Sequence, residues 1–81
     1  MEESRRLRAS TPPPDPDDMN EKRSEWAWKA IHEFQRLTGA EKVDAVSDLL
    51  ADLMHWCDRS GQSFEAELRR GRCHYRAETE S

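Results

Sequence analysis

The sequence predicts an all-α protein, a small three-helix bundle preceded by a disordered N-terminal arm. Three observations carry that expectation. Apolar residues recur at intervals of three and four through most of the chain after residue 18. No segment alternates apolar and polar residues as a half-buried strand does. Ser, Thr, Asp and Gly stand at the breaks between the periodic runs, where helix caps and turns need them.

The arm spans residues 1–18. "RRLR" is basic, "TPPPDP" is proline-rich, and Asp17 and Asp18 close it with acid. None of it offers a periodic apolar face to bury, so it is expected to stay solvated. "RRLRAS" also has the basic-then-serine pattern of a basophilic kinase site. The folded domain is expected over 19–81.

The first helix is expected over about 20–37. Asp18 and Glu21 have capping-box spacing, and Gly39 stands just past the end, where a left-handed cap is often required. Met19, Trp26, Ala27, Ala30, Ile31, Phe34 and Leu37 should face inward. Trp28 departs from this stripe and falls on the polar side, near His32 and Gln35.

Thr38 and Glu41 form a second capping-box pair and predict a helix over about 40–58. At 100° per residue, Val43, Val46, Leu49, Leu50, Leu53, Met54 and Cys57 cover one side. Glu41, Asp44, Asp48 and Asp52 cover the other. Cys57 therefore reads as a small core residue. Trp56 lies at the margin of the stripe, and His55 points into the acidic face.

Ser63 is a credible N-cap for a third helix over about 64–77, with a narrow stripe of Phe64, Leu68, Gly71 and Tyr75. Glycine inside a helix costs roughly 1 kcal/mol against alanine. Its place in the stripe makes sense if a neighbouring helix crosses closely there; the alternative is that Gly71 ends the helix. Arg69, Arg72 and Arg76 line a flank and should partly neutralise the acidic face. Cys73 should be exposed.

Composition limits the function classes. The chain has 81 residues, enough for one domain with a modest core. It is 35% hydrophobic and 37% charged, with a formal charge of −4, which disfavours a nucleic-acid surface. No apolar stretch resembles a signal peptide or approaches a membrane span. Two cysteines without an export signal suggest reduced thiols and a cytoplasmic location.

Four chemical candidates were weighed against blander readings. Asp44, Asp48, Asp52 and His55 share a helix face and have the spacing to hold a divalent ion. Glu25 and Glu33 would join them only if the polar face of the first helix turned inward. A solvated acidic face is the simpler reading. His55, Cys57, Cys73 and His74 are zinc-type ligands, but each pair splays apart on a helix, unlike the two- to four-residue gaps of zinc fingers. A thiol and a histidine occur without an oxyanion-hole loop, so no catalytic residue is assigned. "ELRRGRCHYR" offers arginines beside Tyr75 and His74, which suits weak nucleic-acid binding through the third helix.

From Ala45 onward, "AVSDLLADLMHWCDRSGQSFEAELRRGRCHYRAE" resembles the C-terminal half of MazG-like all-α nucleoside triphosphate pyrophosphohydrolases. Asp48 matches the last acid of that family's E-x-x-D element. The preceding glutamate position holds Ala45, with Asp44 one residue off, and Glu33 is followed three residues later by Arg36 where the earlier E-x-x-E pair would stand. The metal motif is thus degraded. The resemblance implies a helix hairpin and, as an alternative function, a divergent magnesium-dependent nucleotide pyrophosphohydrolase. The same stretch, as "DLLxDLMHW…F…L…HY…E", is similar to small uncharacterised helical proteins of bacterial genomes, phages and plasmids. That likeness implies a bacterial or mobile-element origin.

The reading that follows is a non-enzymatic protein-interaction module, an adaptor, regulator or inhibitor, with no cofactor. Fewer than about twenty apolar side chains face inward, each contributing roughly 1.5–3 kcal/mol when fully buried. Backbone ordering opposes them at about 1–2 kcal/mol per residue. The margin is thin, so a homodimer or a protein partner that completes the core is expected. Trp28, Trp56 and Tyr75 are the expected contact residues. Asp44, Asp48 and Asp52 form an electrostatic surface for a basic partner.

Overall fold

In a computed structural model, residues 12–80 are described. The "RRLRAS" stretch and the arm before Pro12 lie outside the described residues. Among the described residues there are three helices and no strand, as the periodicity predicts: α1 Asn20–Thr38, α2 Ala45–Ser60 and α3 Phe64–Thr79.

The chain enters α1 through a turn that replaces the expected Asp18–Glu21 capping box. Asp18 donates its backbone N–H to the Asp15 carbonyl at 3.1 Å, closing a turn over Pro16 and Asp17. Proline is suited to the second position of such a turn. Asp18 itself adopts φ 62, a left-handed conformation that its short polar side chain tolerates better than most. The Asp15 carboxylate then accepts from the backbone N–H of Met19 at 3.2 Å and of Asn20 at 3.1 Å. A cap is present, but it comes from Asp15, because the turn carries that carboxylate over the helix start. The end of α1 is as expected: Gly39, at φ 76, donates to the Gln35 carbonyl.

α2 begins at Ala45, not near residue 40. The Thr38 hydroxyl is engaged locally, donating to the Phe34 carbonyl at 2.8 Å and accepting from Ala40 N–H at 3.1 Å. It does not cap a following helix. A turn intervenes, with Asp44 N–H donating to the Glu41 carbonyl at 2.9 Å. Gly61, also at φ 76, stops α2 after Ser60. Ser63 caps α3 as predicted, its hydroxyl accepting from Ala66 N–H at 3.1 Å. α3 passes through Gly71 and continues to Thr79.

α1 packs against α2, and α2 against α3. The first turn of α1 meets the last turn of α3. There the Asn20 side-chain amide donates to the Glu78 carbonyl at 2.7 Å, and Arg23 pairs with the Glu78 carboxylate at 3.4 Å. Arg23 also donates to both carboxylate oxygens of Asp17, at 3.0 and 2.8 Å. The described chain extends 37 × 32 × 19 Å with a radius of gyration of 14.6 Å. A compact chain of this size would have roughly 11 Å.

The packing is correspondingly open. Among the described residues only Ala45 (1% exposed) and Cys57 (5%) are buried. The predicted core placement of Cys57 holds, and Cys73 is exposed as expected. Several other residues expected to face inward do not: Met19, Trp26, Leu37, Val43, Val46, Leu50, Leu53 and Met54 are all exposed. The reason is geometric. The neighbours cover α2 only locally: Ala45 and Cys57 are buried and Leu49 is half-buried, while Val46, Leu50, Leu53 and Met54 on the same apolar stripe stay open. The expected close crossing at Gly71 is also absent, since a Cβ built there would meet nothing within 4 Å.

Candidate interaction site

The three aromatic residues singled out as contact candidates lie on three different helices. Trp28, on α1, is 60% exposed and stacks on His32 one turn later, with ring centroids 4.9 Å apart and planes within 9°. The stack holds the indole in one orientation and leaves its outer face to solvent. Trp56, near the end of α2, is exposed. Tyr75, on α3, is likewise exposed and lines a cleft of ≈ 840 Å³ where α1 meets α3. Pro12, Pro13, Arg23, Ala27 and Glu78 line the same cleft. The fold thus gathers Tyr75 with the turn before α1, and it does not bring Trp28 or Trp56 there.

The acidic ladder is exposed at Asp44, Asp48 and Asp52. Asp48 and Asp52 line a smaller cleft of ≈ 270 Å³ with Phe34, Thr38, Ala40 and Ala51, whereas Asp44 and His55 do not border it. The expected neutralisation by Arg69, Arg72 and Arg76 is not found among the described residues. The ion pairs there are Lys22–Glu25, Arg23–Asp17, Arg23–Glu78, Arg36–Glu33 and Arg70–Glu67. α3 pairs its acids within its own turns instead, Arg70 reaching Glu67 at 3.1 Å. The ladder is therefore an open surface of negative charge, available to a basic partner.

Among the described residues no three His, Cys, Asp or Glu side chains gather to hold an ion. Asp48 has Asp52 one turn later, and Ala45, three residues before Asp48, is buried. Glu33 is held by Arg36, whose Nε donates to it at 2.9 Å, and that guanidinium keeps the Glu33 carboxyl below its ordinary value. His55, Cys57, Cys73 and His74 are not gathered either, Cys57 being buried and Cys73 exposed.

Sequence reasoning missed the Asp15–Asp17–Asn20–Arg23–Glu78 corner that joins α1 to α3. Its signal was the "DPDD" run, in which proline after an aspartate marks a turn able to aim that aspartate at a helix start. The two partners shift each other in opposite directions: the hydrogen bond from Arg23 holds the Asp17 carboxyl below its ordinary value, and the same bond raises the Arg23 guanidinium above its own.

Comparison of the chain with models of known families, with curated proteins and with solved structures returns no match. Among the described residues no helix is long and apolar enough to cross a membrane.

Proposed function

We propose that this chain is a non-enzymatic interaction module, working as an adaptor, regulator or inhibitor of another macromolecule. One observation supports this reading above the others: among the described residues two small ones are buried while eleven large hydrophobic side chains stay exposed. A chain that opposes its ordering entropy with so little burial is stabilised by whatever covers the rest. Trp28 is a suitable anchor, since it is already held by His32 and loses little freedom on binding. The open Asp44–Asp48–Asp52 ladder would steer a basic partner and contribute more to encounter rate than to affinity.

The test is capture with the immobilised full chain, followed by calorimetry with the purified partner. Trp28→Ala should weaken binding at least tenfold with helicity unchanged. In parallel, incubation with magnesium and nucleoside triphosphates should release no pyrophosphate. Release that disappears in Asp48→Asn would overturn the proposal in favour of a nucleotide pyrophosphohydrolase.

A further inference from the structure

Along α2 and the turn before it, Val43, Val46, Leu50 and Leu53 follow a three–four–three spacing, the repeat of a seam between two helices. That seam is open: Val43 is 87% exposed, Val46 54%, Leu50 44% and Leu53 42%, with Met54 alongside at 46%. We infer that this face pairs with the same face of a second copy of the chain, α2 against α2, about a two-fold axis midway between Val46 and Leu50. The inference rests on the interaction-module reading and names its partner.

Three features favour a second copy over an unrelated protein. The first is charge. Within α2 the positions flanking the seam are Ser47, Leu49, Met54 and Trp56, while Asp44, Asp48 and Asp52 lie well around the helix from it. An uncharged flank carries no electrostatic code for a different partner, and two copies meeting there keep their acids apart. The second is self-complementarity. An isologous contact requires one patch to fit itself. With the axis midway between Val46 and Leu50, antiparallel helices set Val46 against Leu50 and Val43 against Leu53 of the second copy, a smaller side chain against a larger one in each pair.

The third is area. The five side chains, each at least 42% exposed, form one continuous apolar patch, on the order of the few hundred Å² that marks an interaction surface. With a polar rim, that patch reaches the roughly 800 Å² per partner of a standard interface, at an ordinary apolar fraction. A second α2 would also supply burial that one chain lacks, since only Ala45 and Cys57 are buried among the described residues.

Sedimentation equilibrium of the full chain, from low to high micromolar concentration, should give a monomer–dimer equilibrium. The thermal midpoint should rise with concentration. Leu50→Glu should weaken dimerisation at least a hundredfold, and Trp28→Ala, on α1, should leave it unchanged. As a readout that needs no disruptive substitution, Val46→Cys and Leu50→Cys chains, each with the exposed Cys73 replaced by serine, should when mixed under mild oxidation cross-link to each other in preference to themselves. A wild-type chain that stays monomeric throughout, or Val46→Cys linking only to itself, would overturn the antiparallel pairing. A monomer that still binds a purified partner through Trp28 would overturn the pairing alone. A monomer that binds nothing would overturn the interaction-module reading as well.

Discussion

Replacing Gly71 by alanine should stabilise the protein. Gly71 lies inside α3, and its φ is not among the positive values found at Gly39 and Gly61. An added Cβ meets nothing within 4 Å, so no steric term opposes the substitution. What remains is the helix-interior difference between glycine and alanine, about 1 kcal/mol in favour of alanine. For a domain of this size that corresponds to a rise in Tm of roughly 4–8 °C. Gly61 supplies the opposite sign. It too has open space around its Cβ position, but at φ 76 an L side chain is strained by about 1 kcal/mol, so Gly61→Ala should lower Tm. Thermal melts by far-ultraviolet circular dichroism, at one protein concentration for all three chains, measure both. Destabilisation by Gly71→Ala would refute the reasoning, because it would mean that another helix passes close to that position.

Two further outcomes follow from the caps and the α1–α3 corner. Ser63→Ala removes the acceptor for Ala66 N–H and should cost about 1 kcal/mol, read from the same melts; no change would mean water replaces the cap without loss. Because the Asp17 carboxyl is held below its ordinary value by the hydrogen bond from Arg23, its contribution is present above the ordinary carboxylate value and is lost as pH falls through the lowered one. Arg23→Met should return the Asp17 titration upward when followed by carboxyl NMR, and an unmoved titration would remove Arg23 as the cause.

Local signals were legible wherever a decision involves neighbouring residues only. Gly39 and Gly61 end their helices in left-handed conformation, and Ser63 caps α3 through its own hydroxyl. Competition between equally local options was harder to read. Thr38 can cap a following helix or bond back to Phe34, and Asp15 and Asp18 can each serve the start of α1. In both cases the choice depends on a turn of two or three residues whose path the composition does not determine.

The candidate site divides the same way. That Trp28 leaves the apolar stripe, and that Asp44, Asp48 and Asp52 share a polar face, follows from the 100° step of the helix and needs no fold. Which part of an apolar stripe is covered is another matter. Cys57 and Leu50 belong to the same stripe of α2, yet Cys57 is buried and Leu50 is open to solvent. Likewise, nothing in the heptad-like run of α2 announces that Glu78 will meet Asn20 and Arg23, which lie more than fifty residues earlier.

The amino-acid order by itself determined three amphipathic helices, most of their ends, and the separation of oily from acidic faces, because these follow from the helical period and from side chains acting within one turn. Tertiary structure decided how much of each oily face is covered, which corner holds α1 to α3, and which members of the acidic ladder border a common cleft. Those outcomes depend on the angles and distances between helices, and the short connections at residues 39–44 and 61–63 set them only once the helices pack.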